Sequence, residues 1–241
     1  LDAFPTYGTQ LFWPIGPPVA ISSIFIIDPL YTLPLLAGCL FFLARPPAKT
    51  AVMAGLAVST LYLGWSLMAQ QVITQRVQPA LAEAGLENPD LLVQPMPFNT
   101  LLWRATALQG DQRVEIVTGF LDGDTPLNLE YFSRRPDLAK AVSDLPEAQR
   151  LEWFTRGFLD YDQVGDRITA TDIRLGIPGA HPFSFVLATR NGSGIEPTAS
   201  FRTPRPPVST EALGLLWSRM TGETPVLCLA SLSSPAPGQR C

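Results

Sequence analysis

Two acidic residues in apolar surroundings are the first candidates for chemistry in this sequence. Asp28 lies within the apolar run IFIIDPLYTLP, and Asp2 precedes a hydrophobic stretch that also carries hydroxyl and amide side chains. An acidic residue at membrane depth is costly unless it pairs, binds a metal or lines a wet cavity, which makes it a functional candidate. The alternative for Asp28 is structural, because Asp followed by Pro29 is favoured at the start of a helix. On the residues alone, both interpretations stay open.

The remaining candidates for chemistry are weaker. The single histidine, His181, precedes a proline at the start of a predicted strand, where a structural role is favoured over catalysis. Asp160 belongs to a D-x-D-x3-D pattern without the spacing of a calcium loop, so we expect a solvated hairpin turn there. Asp172 and Arg174 share one face of a predicted strand, where they either pair with each other or bind an anionic group.

Composition limits the class of protein. The chain has 241 residues, of which 46% are hydrophobic and 16% charged, and its formal net charge is −4. The charged fraction is well below the ~25% of ordinary soluble domains, and the high apolar content argues against disorder. Acidic residues outnumber basic ones and no basic run occurs, so we expect no nucleic-acid binding.

The cysteines indicate no structural zinc site, because three cysteines and one histidine are scattered along the chain. Cys39 lies in an apolar run, where a buried free thiol is expected. Cys228 and Cys241 can pair only if the C-terminal region faces an oxidising compartment. Their spacing alone does not decide whether they are bridged.

Two long charge-free stretches predict a membrane-embedded segment over residues 1–75. Within it we predict two transmembrane helices, at about 24–44 and 50–70, joined by the short basic loop RPPAK. Positive residues in a short loop favour the cytoplasmic side of the membrane. The sequence therefore predicts a multi-pass protein of the bacterial inner (cell) membrane, with the lipid bilayer as its first partner and a periplasmic soluble domain.

The rest of the chain predicts a β-rich extramembrane domain. Residues 76–97 are predicted as a helix extension that ends at Gly85, followed by a proline-punctuated linker. Residues 98–222 alternate strand patterns with turn signals and include a helical stretch at 137–154, whereas 223–241 is predicted to be a flexible tail. We expect one antiparallel sheet of about five or six strands. The predicted fold class is a membrane α-helical hairpin followed by an α+β, mainly antiparallel β, extramembrane domain.

The N-terminal residues resemble a known family. LDAFPTYGTQLFWP, followed later by IFIIDPLYTLPLL, resembles the YdjM-like inner-membrane proteins, which are described as metal-dependent hydrolases. The shared pattern is a Leu-Asp pair, a Thr-Tyr-Gly-Thr-Gln stretch and an Ile-Asp-Pro that enters a transmembrane helix, and Pro5 stands where the family usually has Thr. The resemblance implies that a His-containing motif lies upstream of Leu1, and it carries over only Asp2 and Asp28 as metal ligands.

The resemblance also implies a cofactor, a divalent metal ion such as zinc, manganese or magnesium. Two functions follow as alternatives. The first is the C-terminal part of a membrane-embedded metal-dependent hydrolase, acting at the membrane surface on an ester whose identity the sequence does not indicate, with lipid and phosphate esters suited to that position. No catalytic residue is assigned, and we expect this chain to be inactive by itself. The second is a non-catalytic, membrane-anchored β domain that binds a protein or a ligand.

Overall fold

The chain folds into a pair of packed helices followed by two β-sheets. The computed structural model describes residues 1–46, 49–123, 125–192, 194–204, 210–223 and 226–230. In chain order the elements are α1 (Pro29–Ala44), α2 (Lys49–Glu83), β1 (Asp90–Pro95), β2 (Leu102–Gln109), β3 (Gln112–Gly119), β4 (Leu129–Ser133), α3 (Pro136–Val142), α4 (Pro146–Thr155), β5 (Leu159–Val164), β6 (Arg167–Asp172), β7 (Ser184–Asn191), β8 (Gly194–Arg202) and α5 (Thr210–Met220).

The helices α1 and α2 pack side by side and run in opposite directions. Two glycines permit the close approach of their backbones. A Cβ on Gly38 would lie 2.7 Å from the carbonyl oxygen of Ala51, and a Cβ on Gly55 would overlap the carbonyl oxygen of Pro34. Small residues at such contacts are typical of helices that pack within membranes.

Among the described residues, α2 is the one helix that is long and apolar enough to cross a membrane. It has 35 residues, whereas α1 has 16. At a rise of 1.5 Å per residue α1 is about 24 Å long, which is shorter than the ~30 Å hydrocarbon layer. The predicted hairpin of two transmembrane helices, at 24–44 and 50–70, is therefore not confirmed. Residues 24–28 are not helical, because the helix begins only after Asp28, and α2 continues well beyond residue 70.

The second half of α2 is the core helix of sheet one, the sheet formed by β1 to β4. Its buried side chains recur every three or four residues and pack against that sheet; they are Ala69, Ile73, Val77 and Leu81. This spacing places them on one face of the helix. The helix ends at Glu83, close to the predicted end, and Gly85 adopts a φ of +87°. That left-handed conformation lets the N–H of Leu86 donate to the carbonyl of Leu81 at 2.9 Å.

Within the described residues, eight strands form two four-stranded antiparallel sheets, so the prediction of one sheet with five or six strands is wrong in number. Sheet one has the order β1-β2-β3-β4, and sheet two has the order β5-β6-β7-β8. Strand β1 lies within the predicted linker at 76–97, and β8 contains Pro197. Both are edge strands, where a proline is tolerated because its missing N–H breaks no ladder. The helical stretch predicted at 137–154 is present as α3 and α4, whose buried residues pack against sheet two.

Part of the predicted tail at 223–241 folds against sheet one. Residues 226–230 include the buried side chains of Leu227 and Leu229. The backbone N–H of Leu229 donates to the carboxylate of Glu130 at 2.7 Å. This segment is therefore part of the folded domain, and residues 231–241 lie outside the described residues.

The cysteines differ from the expectation in one respect. Cys39 is free, as predicted, but it is exposed on α1 instead of buried. The reason is that α1 packs against α2 with only one of its faces. Cys228 forms a disulfide bond, and Cys241, whose pairing with it the sequence left open, lies outside the described residues.

Candidate functional site

Asp28 is a buried carboxylate at the start of α1, with 3% of its surface exposed. Its Oδ1 accepts hydrogen bonds from the backbone N–H groups of Leu30 at 3.0 Å and Tyr31 at 3.3 Å. Its Oδ2 accepts a hydrogen bond from the hydroxyl of Tyr62 on α2 at 2.8 Å. The predicted N-cap role is confirmed. A role as a metal ligand stays a prediction.

Tyr62 connects this cap to the β-sheets. Its hydroxyl also contacts Oγ1 of Thr100 at 3.2 Å, and Nε1 of Trp65 donates to the same oxygen at 3.1 Å. Thr100 is buried in the connection between β1 and β2. The network therefore fixes three parts of the chain to one another: the start of α1, the middle of α2 and one end of sheet one.

Asp2 differs from Asp28, because its side chain is exposed. Within the described ranges, no three or more His, Cys, Asp or Glu side chains come close enough together to hold a metal ion. Protein sites for divalent metals draw on more ligands than two carboxylates. Both oxygens of Asp28 already accept hydrogen bonds. The described residues therefore do not by themselves fit the divalent ion that the resemblance implies.

The N-terminal segment folds back onto α2 and the sheets. The side-chain amide of Gln70, at the end of the apolar run of α2, donates to the carbonyls of Ile21 at 2.7 Å and Val93 at 2.8 Å. The hydroxyl of Thr6 donates to Oε1 of Gln94 on β1 at 2.6 Å. These bonds hold residues 1–23 against the edge of sheet one.

A cavity of about 180 Å³ lies between this segment and the rest of the protein. Five separate parts of the chain form its wall: the N-terminal segment, α2, β1, the residues around the end of α4, and Arg174 just after β6. The lining residues are Thr6, Tyr7, Pro18, Ala20, Ile21, Ser22, Gln70, Leu91, Leu92, Val93, Phe154, Thr155, Arg156, Phe158 and Arg174. Polar and apolar side chains are mixed in this lining, as they are in many ligand pockets.

Arg174 is fixed on one side of the cavity by an ion pair. Its guanidinium donates to both carboxylate oxygens of Asp172, at 2.9 and 2.7 Å, so the predicted pairing of these two residues is confirmed. The same guanidinium lies over the rings of Tyr7 at 4.9 Å and Phe154 at 4.6 Å from their centroids. Because Asp172 balances its charge, Arg174 contributes to the wall of the cavity but adds no net positive charge to it.

Tyr7 and Arg156 bring the less satisfied polar groups to the cavity. The hydroxyl of Tyr7 is buried without a hydrogen-bond partner among the described residues. Burial, reinforced by the negative charge of Asp172, raises the pKa of that hydroxyl, so it stays protonated and able to donate. Arg156 is exposed, donates to the carbonyl of Pro18 and forms no ion pair with any residue of the described ranges. The lining therefore offers one positive charge without an ion-pair partner among the described residues, whereas the Tyr7 hydroxyl is itself buried.

The comparisons with known proteins point to the same N-terminal part of the chain. Residues 1–73 match the YdjM inner membrane protein family. The resemblance read from the sequence is thereby confirmed for this range. No curated protein and no solved structure matches the chain.

The YdjM segment, residues 1–73, contains both acidic candidates and one wall of the cavity. It includes Asp2, Asp28, Tyr62 and Gln70, and it ends within α2. The β domain, meaning the two sheets with α3 to α5, lies outside the matched range. The inner-membrane family and the apolar α2 agree that the lipid bilayer is a partner of this chain.

His181 belongs to a buried cluster between the two sheets. Its Nδ1 donates to the carbonyl of Leu175 at 2.8 Å, and its Nε2 is buried without a partner in the described structure. Burial, together with the positive charge of Arg104, lowers the pKa of His181 from 6.5 to about 4. Arg104 itself donates to both carboxylate oxygens of Glu115 at 2.8 and 2.7 Å, deep within sheet one. This cluster joins the two sheets, and the structural role predicted for His181 agrees with it.

Asp160 is not the solvated turn residue that its D-x-D-x3-D pattern predicted. It lies on β5 and forms ion pairs with Arg113 and with Arg134, the latter at 3.7 Å. Burial raises the pKa of its carboxyl in spite of these arginines. The predicted turn itself is present between β5 and β6, with Asp166 exposed in it. The prediction is wrong for Asp160 because its cross-sheet partners are distant in sequence, so nothing near it signals them.

Several residues of the site escaped the sequence reasoning. Tyr62 and Gln70 carried a usable signal, because each is a polar group in or directly after the apolar run of α2. Thr100 and Arg156 carried none, since each lies in a connecting segment and becomes important only through its distant neighbours. The structure therefore adds the cavity to the two acidic candidates, and it does not place those two in a common ligand set.

Proposed function

We propose that this chain is an inner-membrane protein whose β domain and YdjM segment together bind a small anionic amphiphile. The observation that carries the proposal is the 180 Å³ cavity between these two parts. A concave site with mixed lining and a few convergent polar groups is the usual form of a small-molecule site. This is the ligand-binding alternative to hydrolysis, with the ligand class now specified.

The charge and the position of the cavity favour that ligand class. Arg156 supplies a positive charge without an ion-pair partner in the described structure. Leu91 and Phe158 supply apolar surface on the β-domain side. Gln70 lines the cavity at the point where the apolar run of α2 ends, which is close to the level of the lipid headgroups. A molecule with an anionic head and a short apolar tail satisfies all of these groups.

Binding can be tested with hexyl phosphate as the probe and hexanol as its uncharged analogue. Isothermal titration calorimetry of the chain in maltoside micelles should detect hexyl phosphate and not hexanol. Arg156→Gln should weaken binding about fivefold, because an exposed charge contributes about 1 kcal/mol. Arg150→Gln, which removes an exposed arginine of α4 outside the cavity, is the matched control and should leave binding unchanged. Equal binding by both variants, or no heat with hexyl phosphate, would contradict the proposal.

The same proposal includes a location. We place α1 beside α2 in the membrane, with the loop between them in the cytoplasm and the β domain in the periplasm. Arg45 and Lys49 flank that loop, as the positive-inside rule requires. The disulfide bond of Cys228 favours an oxidising compartment for the β domain. A phosphatase reporter inserted at Gly110 should be active, and a reporter that works only in the cytoplasm would reverse the orientation.

Metal-dependent hydrolysis of a lipid or phosphate ester is the second candidate. It is supported by the buried carboxylate of Asp28 within the YdjM segment. A bound divalent ion would supply an activated water for such chemistry. Asp2 and Asp28 provide at most two ligands, so no step of a reaction is assigned to residues of this chain.

Metal content decides this second candidate. On this second candidate, elemental analysis of the purified chain should find stoichiometric zinc, manganese or magnesium that is lost in Asp2→Ala and in Asp28→Asn. Asp144→Asn, which changes an exposed carboxylate of the β domain, should retain it. Absence of metal, or metal that is indifferent to both substitutions, would leave ligand binding as the function.

A further inference from the structure

The apolar surface of α2 continues past the point where the β domain begins. From Lys49 the next charged side chain on this helix is Arg76, which at 1.5 Å per residue is about 40 Å away, the thickness of a bilayer with its headgroups. A stripe of exposed apolar side chains follows this distance on one helical face, at intervals of three and four residues. Its members near the β domain are Leu61, Trp65, Met68 and Val72. Lipid is therefore expected to reach the level at which the β domain packs on α2.

Two connections at one end of sheet one expose apolar side chains at that level. The first, between β1 and β2, exposes Phe98 by 53% and Leu101 by 38%. The second, after β3, exposes Leu121 by 57%. They lie together, because β2 begins where β3 ends and the N–H of Phe120 donates to the carbonyl of Leu101 at 3.0 Å. We call Phe98, Leu101 and Leu121 the apolar rim.

The first connection is held rigidly by its own polar groups. Oδ1 of Asn99 accepts hydrogen bonds from the N–H groups of Leu101 at 2.9 Å and Leu102 at 2.7 Å. Phe98 adopts a φ of +66°, a left-handed conformation that is rare for a bulky residue. A strained backbone that exposes a phenylalanine points to a function for the exposed ring.

The second connection is fixed as firmly. Oδ2 of Asp122 accepts a hydrogen bond from the N–H of Gly119 at 2.8 Å, and Arg219 of α5 forms an ion pair with the same carboxylate. Burial opposes ionisation, but these hydrogen bonds and the charge of Arg219 hold the pKa of Asp122 below its ordinary value. Leu121 is therefore presented by a turn that stays ordered and charged at neutral pH.

The first connection contacts the segment that precedes α1, and the second contacts α2. The ring of Phe98 packs edge-on against Phe25, with 5.3 Å between centroids, and Phe120 packs against Trp65 at 5.4 Å. The exposed surface of the apolar rim is thus continuous with the apolar stripe of α2. Tryptophan and tyrosine at this level are typical of the membrane interface.

We propose that the apolar rim inserts into the lipid bilayer, so that the β domain rests in the membrane surface instead of standing clear of it. The occupant of the rim is lipid, because the rim continues the exposed apolar stripe of α2, the helix that is long and apolar enough to cross a membrane. Lysine and arginine are absent from the rim, whereas Arg76 lies just above it and donates to the carbonyl of Gly119 at 2.8 Å. Such an arginine is placed to reach the headgroups. This inference does not depend on a ligand in the cavity.

Spin labels test the insertion directly. In full-length chain carrying Cys39→Ser, single cysteines at Phe98, Leu101 and Leu121 are labelled with a nitroxide, and the protein is reconstituted in phosphatidylglycerol–phosphatidylcholine nanodiscs. Collision with oxygen should exceed collision with a water-soluble nickel chelate at all three positions. The order should reverse at Asp111→Cys, in the β2–β3 turn at the opposite end of sheet one. It should also reverse at Tyr131→Cys, an exposed aromatic position on β4 near that end.

Two results would overturn the proposal. Nickel accessibility at the rim equal to that at Asp111 would place the rim in water, and exclusion of both reagents would indicate a protein partner or a second copy. A measurement on the unsubstituted chain guards against misfolded variants. Lipids with a diazirine in the acyl chain should label the tryptic peptides 77–104 and 114–134, which contain the rim. Absence of the label from both peptides would equally refute insertion.

Discussion

Asp28 makes its contacts through both carboxylate oxygens, so two substitutions at this position separate its structural role from a role that needs charge. Asp28→Ala removes the cap of α1 and the acceptor for Tyr62. Asp28→Asn keeps an oxygen that can accept from the N–H groups of Leu30 and Tyr31. If the role is structural, the first substitution should be costly and the second mild.

The magnitudes follow from the hydrogen bonds. Loss of an N-cap costs about 1 kcal/mol, and loss of the Tyr62 bond costs about another 1 kcal/mol. Tyr62 retains its contact with Thr100, so the second cost does not rise further. We therefore expect Asp28→Ala to lower the free energy of unfolding by about 2 kcal/mol. Asp28→Asn should cost less than about 1 kcal/mol, because its amide can donate to the tyrosine hydroxyl.

The assay is unfolding of the reconstituted chain by increasing mole fractions of dodecyl sulfate, followed by tryptophan fluorescence. Tyr62→Phe isolates the second hydrogen bond, and the double variant with Asp28→Asn measures the coupling between the two side chains. Equal destabilisation by Asn and Ala would refute the structural reasoning. It would show that the negative charge is required, as a cation ligand would need.

Three further predictions concern packing and buried charge. Gly55→Ala should destabilise the α1–α2 pair by about 1 to 3 kcal/mol in the same assay, because the added Cβ meets a carbonyl of α1. Gly64→Ala is the control, because its Cβ enters open space, and it should be neutral or stabilising. Glu115→Gln should lower the free energy of unfolding by about 3 to 5 kcal/mol, since Arg104 is left buried without a counter-charge. Adding Arg104→Met should recover part of that loss. The pKa of His181 is lowered from 6.5 to about 4 in the folded chain. Below pH 6.5 the unfolded chain therefore binds more protons than the folded chain, and the free energy of unfolding decreases as the pH is lowered. From pH 7 to pH 5 the loss assigned to His181 is about 2 kcal/mol and should be missing in His181→Asn; identical pH profiles would contradict this.

The start of α1 shows which part of the site a sequence can predict. The cap and the proline that follows it are neighbours in the chain, so their pattern indicates the helix start directly. The hydroxyl that completes the cap belongs to Tyr62, 34 residues away. No local pattern specifies that contact, and the same applies to Thr100.

The sheets show the corresponding limit for the fold. The turns, the α3–α4 stretch and the end of α2 follow local rules, and the structure agrees with them. β1 and β8 were missed because prolines inside them argue against strands, whereas an edge position tolerates them. The repeated spacing of buried residues in the second half of α2 signals a covered face, but it does not indicate that the sheet beginning at Asp90 covers that face.

The cavity shows the limit for function. Pairing of Asp172 with Arg174 was one of two possibilities that their predicted positions on one strand left open. It is observed, although β6 ends at Asp172 and Arg174 lies beyond it. The stacking of Tyr7 on that guanidinium joins residues from opposite ends of the sequence. A ligand-binding role for the cavity could therefore be proposed only once the structure placed the N-terminal segment against the β domain.

The dual use of α2 has a consequence for how this protein is made. The helix residues Ile73 and Leu81 complete the core beneath Trp103 and Ile116 of sheet one. Until that half of α2 has emerged on the same side of the membrane as the strands, sheet one presents an uncovered apolar face and is prone to aggregate. Membrane insertion must therefore precede completion of the β domain during biosynthesis. A truncation that discards α2 to obtain a soluble β domain removes part of that domain's core along with its anchor.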